Sequence, residues 1–144
     1  MSTIDVRLLD ANEIGVLDRV AEGVFDNPIN PRWARAFFAD ARHHLVVAID
    51  DGVVVGMASA VDYVHPDKAP QLWINEVGVA PTHRQRRVAT RMLAELLSLA
   101  RSLGCTEAWV GTEEDNTSAR RLYEGGGGVA APFVLYSFSL ETQD

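Results

Sequence analysis

The stretch that decides the fold lies between residues 72 and 103. Residues 72–79 read LWINEVGV, an apolar and β-branched run that predicts a buried strand. Residues 80–90 read APTHRQRRVAT, a short segment that carries three arginines. Residues 91–103 read RMLAELLSLARSL, in which apolar positions recur at helical spacing. This pattern predicts a helix with one apolar face that begins near Val88.

A strand, a short loop and a helix N-terminus in this order predict an anion-binding site. The N–H groups of a first helical turn have no partner within the helix, and the helix dipole adds partial positive charge. Arg84, Arg86 and Arg87 add full charges that can grip phosphate. Basic residues at a helix N-terminus oppose the dipole, which disfavours the alternative that they only form a solvated helix start.

Composition restricts the possible functions. The chain has 144 residues, a length typical of a single domain over residues 1–144. Its formal net charge of −7 argues against sequence-independent nucleic-acid binding, because such binding requires a basic face. The acidic surface either suits a cationic small molecule or serves solubility alone.

The single cysteine, Cys105, excludes an intrachain disulfide framework and is interpreted as a packing residue. No leader pattern is recognised at the N-terminus, and no apolar run reaches about 18 residues. We therefore expect a cytoplasmic protein that does not bind membranes. No metal-ligand spacing is recognised, because His43 and His44 are adjacent whereas His65 and His83 stand apart.

The remaining elements are predicted from periodicity, capping residues and turn signals. Strands are expected over residues 4–8, 45–49, 53–61, 107–111 and 134–140, and helices over residues 11–22, 31–41 and 116–124. Asp51 and Gly52 read as a hairpin turn between two strands, whereas residues 62–70 read as a loop or a turn that joins to the central strand. These elements predict a mixed α/β domain with one layered core.

Two motifs resemble a known family. Residues 84–89 (RQRRVA) fall where the GNAT superfamily of acyl-CoA-dependent N-acetyltransferases has Arg/Gln-x-x-Gly-x-Gly/Ala. Residues 116–127 follow the family pattern Asn-x-x-Ala-x-x-Leu-Tyr-x-x-x-Gly. With the order of elements, both motifs identify the chain as similar to this family over nearly its full length. Segments 75–81 and 43–67 most resemble small bacterial aminoglycoside 3-N-acetyltransferases.

The resemblance implies a mixed, mostly antiparallel sheet that is flanked by helices and splayed between the central strand and the next. It also implies acetyl-CoA as co-substrate, a cationic amine as acceptor, and direct attack of the amine on the thioester. A homodimer paired through C-terminal strands is consistent with the family. Two alternatives stay open: acetylation of another small amine or a protein amine, and a non-catalytic acyl-CoA-binding protein.

One departure from the family pattern is Arg87, which stands at the first loop glycine. Glycine lets the backbone approach a diphosphate closely and adopts unusual conformations at little steric cost. If φ is negative at this position, Arg87 can point to solvent or add a phosphate contact. If φ is positive, strain of about 1–3 kcal/mol is stored in the loop.

The cofactor is expected to lie between the arginine-rich loop, the central strand and the last helix. The main chain of Val77 and Val79 is expected to pair with the pantetheine arm as an added strand does. Asn116 either bonds this arm or is a plain helix cap. The expected cofactor-binding residues are Val77, Val79, Arg84, Gln85, Arg86, Arg87, Val88, Ala89, Thr90, Asn116, Ala119 and Tyr123.

Two residues are expected to carry the chemistry. Glu76 is the candidate general base, since burial in an apolar strand would raise the pKa of its carboxyl. Its alternative is a charge at a strand edge that is paired with an arginine. Tyr123 is carried over from the family as the acid that protonates the leaving thiolate, and its alternative is a core tyrosine.

Acidic loops near the expected cleft suit a substrate with several ammonium groups, or they are solvated loop charges. Asp67 and Glu114 belong to these loops. The expected substrate-binding residues are Asp62, His65, Asn75, Glu76, Glu113 and Asp115.

Overall fold

A five-stranded sheet forms the centre of the computed structural model, which describes residues 3–142. The strands are β1 (Asp5–Leu8), β2 (His43–Asp50), β3 (Val53–His65), β4 (Lys68–Val79) and β5 (Glu107–Trp109), in that spatial order. The helices are α1 (Pro31–Ala39), α2 (Val88–Ser102) and α3 (Thr117–Gly125), with 3-10 helices at Ala11–Asp18 and Pro81–His83. All neighbouring strands are antiparallel except β4 and β5, which confirms the predicted mixed α/β architecture.

The β3–β4 hairpin corrects the extent of one predicted connection. Of residues 62–70, interpreted as a loop or a turn, only Pro66 and Asp67 form the turn, because β3 continues to His65 and β4 begins at Lys68. Pro66 occupies the turn itself, where no ladder hydrogen bond is lost. Pro70 lies next to an irregularity in the β3–β4 register, so its missing N–H is tolerated there.

The predicted starts of helices are confirmed, but one predicted helix is shorter and of another type. Asn30 Oδ1 caps α1 by accepting from Arg32 N at 2.9 Å. The helix predicted over residues 11–22 is instead the 3-10 helix Ala11–Asp18. It ends there because the following residues pair with β3: Ala21 N donates to Val54 O, and Val54 N donates to Arg19 O.

The core lies between the sheet and α2, whose apolar face is buried as predicted. A Cβ added to Gly56 of β3 would lie 3.1 Å from both Val88 and Met92, so this glycine lets α2 approach closely. None of the helices within residues 3–142 is long and apolar enough to cross a bilayer.

The predicted C-terminal strand over residues 134–140 is wrong, because no strand is formed after α3 in the part of the chain that the structure describes. The sequence alternates as a strand does, but no partner strand lies beside it within the described chain. Large apolar side chains therefore remain 63–96% exposed, namely Val129, Phe133, Val134, Leu135, Tyr136, Phe138 and Leu140.

Candidate active site

The parallel strands β4 and β5 separate after three paired positions. β5 pairs with β4 only at Gln71, Leu72 and Trp73. From residue 74 to Val79, β4 continues along β3 without a partner from β5. This confirms the predicted splay and leaves one edge of the central strand open.

The open edge of β4 presents main-chain groups to the splay. Ala80 N donates to Val55 O of β3 at 2.8 Å. Because successive peptide groups of a strand point to opposite sides, the N–H and C=O groups of Val79 and Val77 face away from β3. Arg84 Nε donates to Val79 O at 3.4 Å across this side. An extended ligand can therefore pair here as an added strand.

A β-bulge lies at the point where the strands diverge. Glu76 pairs with Ser59 and Ile74 pairs with Ala60, which leaves Asn75 as the extra residue of β4. Bulges re-aim neighbouring side chains, and both Asn75 and Glu76 are exposed. The expected burial of Glu76 is therefore wrong, because the sheet is open on this side and water reaches the carboxylate.

The arginine loop (residues 84–87) joins β4 to α2 through left-handed backbone. Gln85 has φ 62° and Arg87 has φ 60°, so the strained alternative considered for Arg87 is the one that occurs. Such conformations cost about 1–3 kcal/mol in a residue with a side chain. Every side chain of this loop is exposed.

The first turn of α2 leaves amides for an anion. The first intrahelical bond runs from Arg91 N to Arg87 O at 3.0 Å, and the side chain of Arg87 makes no capping bond. The N–H groups of Val88, Ala89 and Thr90 therefore have no partner within the helix. With the adjacent guanidinium groups, they match the requirements of a diphosphate.

Helix α3 supplies Tyr123, which is half-buried. Burial raises the pKa of the Tyr123 phenol above its usual value, so the hydroxyl stays protonated near neutral pH and can donate. Asn116 Oδ1 accepts from Ala119 N at 3.1 Å, which gives Asn116 the role of a helix cap. Because β5 runs parallel to β4, the segment that leads to α3 leaves β5 at the end where the two strands separate.

The predicted substrate residues do not all come together. His44 Nε2 lies 2.6 Å from Asp62 Oδ1, and His44 pairs with Ala60. Glu76 pairs with Ser59, so alternation puts Asp62 on the opposite face of the sheet from Glu76.

The other predicted substrate residues divide between two places. His65 lies at the far tip of the β3–β4 hairpin, opposite Lys68. Glu113 and Asp115 are exposed in the segment that joins β5 to α3, at the end of the sheet where the splay opens.

Sequence reasoning missed the segment over residues 20–29. It lines a cavity of about 280 Å³ with the side chains of Glu22 and Asp26 among its walls. Val24 O approaches β4 so closely that a Cβ on Gly78 would lie 2.3 Å from it. A glycine within the central strand predicted a close backbone contact, but it could not identify this segment as the neighbour.

A second missed feature is an aromatic group beside the splay. Trp109 Nε1 donates to Tyr63 OH at 2.7 Å, and the rings of Trp73 and Trp109 meet edge-on with centroids 5.5 Å apart. No sequence motif pointed to this group.

No group of three or more His, Cys, Asp and Glu side chains that could hold a metal ion is found within residues 3–142. Cys105 is half-buried, and burial raises the pKa of its thiol. The nucleophilic thiolate form is therefore disfavoured, in keeping with a packing role.

Comparisons with known proteins agree with this geometry. The sequence profile described as the Acetyltransferase (GNAT) family matches residues 16–126. Aminoglycoside N(6')-acetyltransferase type 1 of Salmonella typhimurium is 32% identical over 82 residues, which cover 54% of this chain and 57% of that protein. The chain thus spans little more than half the length of this curated relative. The relative is named for the 6' position rather than the 3-N type expected.

Two solved structures share the fold. An aminoglycoside acetyltransferase from an uncultured soil metagenomic sample, in complex with trehalose, has a TM-score of 0.82 at 13% identity and covers 96% of this chain and 97% of its own. Aminoglycoside N-acetyltransferase AAC(6')-Iy in complex with CoA has a TM-score of 0.75 at 22% identity and covers 97% of each chain. At these identities, the likeness shows the fold alone.

Proposed function

Because the chain belongs to the GNAT acetyltransferase family, we propose that it transfers an acetyl group from acetyl-CoA to a primary amine of an aminoglycoside-like polyamine. The observation that carries the proposal is the splay of β4 from β5, which opens beside the unpaired amides of the first turn of α2. The curated relative that matches this chain is itself an aminoglycoside acetyltransferase.

Acetyl-CoA supplies the acetyl group as a thioester when it is bound. The first-turn amides of α2 and the guanidinium groups of Arg84 and Arg86 would hold its diphosphate. The outward main-chain groups of Val77 and Val79 would pair with its amide-bearing arm. Gln85, Arg87, Asn116 and Ala119 are proposed to line the same path.

Glu76 is the proposed general base. An ammonium group has no lone pair for attack, so the acceptor must give up a proton, and the carboxylate of Glu76 lies at the bulge where β4 becomes open. Because Glu76 is exposed in the free protein, the bound substrate would have to help shield its carboxylate from water. Tyr123, which keeps its proton near neutral pH, is the proposed donor to the leaving sulfur.

The acceptor is proposed to be a polycation because exposed acidic residues lie on the two segments that border the splay. Glu113 and Asp115 are exposed on the α3 side and Glu76 on the β4 side, and the chain as a whole carries a formal charge of −7. Like-signed groups at one mouth concentrate an oppositely charged substrate. Asp62 and His65 lie away from this opening, so we rest substrate recognition on the other acids.

The decisive experiment measures thiol release from acetyl-CoA with a panel of aminoglycosides, simple polyamines and peptides with free N-termini. We expect turnover with aminoglycosides. Glu76→Gln should lower the rate by about 10²–10⁴-fold while CoA affinity survives. Glu95→Gln, which changes an exposed acid on α2, is the matched control and should leave the rate unchanged.

Each other outcome identifies a different alternative. Turnover confined to simple polyamines or peptides would show that the acceptor is another small amine or a protein amine rather than an aminoglycoside. CoA binding without turnover on any amine would favour a non-catalytic acyl-CoA-binding protein. An unchanged pH–rate profile in Glu76→Gln would remove this residue from the base role.

A homodimer is proposed from the C-terminal segment, residues 129–140, whose apolar side chains are 63–96% exposed. β5 lies at the end of the sheet, so its outer edge has no neighbouring strand in the part of the chain that the structure describes. The alternating segment of one copy would pair with the open β5 edge of the second copy. The segment of the second copy would pair with the β5 edge of the first in the same way.

Light scattering after size exclusion should therefore give twice the 15.8 kDa chain mass. Tyr136→Asp combined with Phe138→Asp should give a monomer. Asp substitution at Trp33, an exposed apolar residue of α1 outside this segment, is the control and should leave the dimer intact. A wild-type monomer at micromolar concentration would overturn the dimer.

A further inference from the structure

His83 forms a buried connection that the proposed chemistry does not use. It ends the 3-10 helix Pro81–His83 and directly precedes the arginine loop. Its Nε2 lies 2.7 Å from Asp50 Oδ2, and its Nδ1 lies 2.7 Å from Thr82 Oγ1. A carboxylate only accepts, so Nε2 carries the proton and donates. The side chains of His83 and Asp50 are only 15% and 14% exposed, so water competes weakly for this bond.

The Asp50 end of the bond is fixed by the sheet. Asp50 is the last residue of β2 and pairs with Val53 across the hairpin turn. β2 and β3 pair from this position to His43 and Val61 at the other end, with one irregularity between Ala48 and Ile49. The bond therefore joins the arginine loop to a long hairpin of the molecule.

The arginine loop needs such a connection because little else holds it. Two of its residues, Gln85 and Arg87, have positive φ, and strained backbone persists only where the surroundings determine it. The loop side chains are exposed, and Arg87 provides no capping bond. The Arg84 Nε bond to Val79 O is long, at 3.4 Å.

We propose that the His83–Asp50 bond is a latch that sets the arginine loop in its anion-receiving conformation before the cofactor binds. His83 is then a positioning residue that acts through the loop, a role that presupposes the proposed acetyl-CoA site. A preformed loop does not have to be ordered at the moment of binding, so the latch increases affinity for the diphosphate of CoA. It does not change the chemical step once the cofactor is bound.

A second buried pair provides a matched control. His44 Nε2 lies 2.6 Å from Asp62 Oδ1, with side chains 10% and 21% exposed. This pair joins β2 to β3 at the end of the hairpin opposite to Asp50. It shares the chemistry and burial of the latch without contact to the loop.

The experiment compares His83→Phe, Asp50→Asn, their combination and His44→Phe. CoA affinity is measured by calorimetry, and amide exchange over residues 84–90 is measured in the free protein. We expect His83→Phe and Asp50→Asn each to raise the Kd for CoA about 10-fold, with kcat at saturating acetyl-CoA changed by less than about 3-fold. The double variant should bind CoA no more weakly than either single variant, because both substitutions remove the same bond. His83→Gln, which keeps a side-chain N–H donor, should recover part of the affinity.

Amide exchange separates failure of the latch from failure of the proposed function. In both latch variants, exchange over residues 84–90 should rise, whereas His44→Phe should lower global stability without this local change. If the wild type does not bind CoA, the proposed function fails, and exchange still decides whether the latch orders the loop. Unchanged loop exchange in folded His83→Phe and Asp50→Asn would overturn the latch.

Discussion

Two sharp reversals of the chain place non-glycine residues in left-handed backbone, and the two are built from different residues. At the turn between β2 and β3, Asp51 has φ 50° and Gly52 has φ 76°. In the arginine loop before α2, Gln85 has φ 62° and Arg87 has φ 60°. Glycine adopts this conformation without steric cost and Asp tolerates it, whereas Gln and Arg gain nothing from it locally.

The difference indicates what each reversal contributes to the protein. The residues of the hairpin turn suit their backbone, and the turn serves the register of two strands. The residues of the arginine loop suit the proposed diphosphate site by their charge, and their backbone is strained. Local strain of this kind is concentrated where a site needs a particular side chain or an exposed amide. The latch from His83 to Asp50 then joins the strained reversal to the relaxed one.

The largest difference between the two reversals should appear on adding CoA. At about 100 times its Kd, CoA stabilises the bound state by about 2.7 kcal/mol, equivalent to about a 100-fold slowing of opening. We expect amide exchange at residues 88–90 to slow by up to that factor, while exchange at residues 51–53 stays unchanged. Hydrogen exchange followed by mass spectrometry measures both segments at once. Equal slowing of amide exchange in the two segments would contradict the proposed difference between the two reversals.

Next in size is the effect of removing the suited residue from the hairpin turn. Gly52→Val forces a β-branched side chain to φ 76° and should lower the free energy of unfolding by about 2 kcal/mol. The nearest contact, Arg19 Nη1 at 3.2 Å from an added Cβ, belongs to a long side chain that can move. Urea denaturation provides the measurement. Gly125→Ala is the control, because Gly125 has open space around it and no positive φ. This substitution should not lower the free energy of unfolding.

A smaller effect of opposite sign is expected in the arginine loop. Arg87→Gly should raise the free energy of unfolding by about 1 kcal/mol, because it relieves the strain at φ 60°. Calorimetry should show tighter CoA binding as well. Arg86 does not have a positive φ, so Arg86→Gly relieves no strain and should not raise the free energy of unfolding. Weaker CoA binding in Arg87→Gly would show instead that the arginine contacts phosphate.

The smallest effect is expected at Asp51. Asp51→Gly should change the free energy of unfolding by no more than about 0.5 kcal/mol, since Asp already tolerates the left-handed region. The same denaturation assay measures it beside Arg87→Gly. A gain as large as that of Arg87→Gly would show that the two reversals are equally strained, contrary to the comparison.

Local signals predicted much of the fold and part of the site. The Asp-Gly turn and the apolar face of α2 are found where the sequence indicated, and Asn116 caps α3 as one of its two predicted roles. The predictions of a buried Glu76 and of a strand over residues 134–140 failed for a common reason. Alternating or apolar sequence indicates a strand but does not specify which neighbour covers it. The open splay exposes Glu76, and the C-terminal segment has no partner within the described chain.

The sequence by itself determined the helix that begins at Val88, the hairpin turn at Asp51 and the order of strand, loop and helix that we propose as an anion site. Each of these depends on residues within one or two turns of chain. Only the tertiary structure decided that residues 62–70 close a hairpin, that segment 20–29 borders β4, and that His83 meets Asp50. Those features depend on which distant segments pack together, and the free energy of such packing is not encoded in any short stretch.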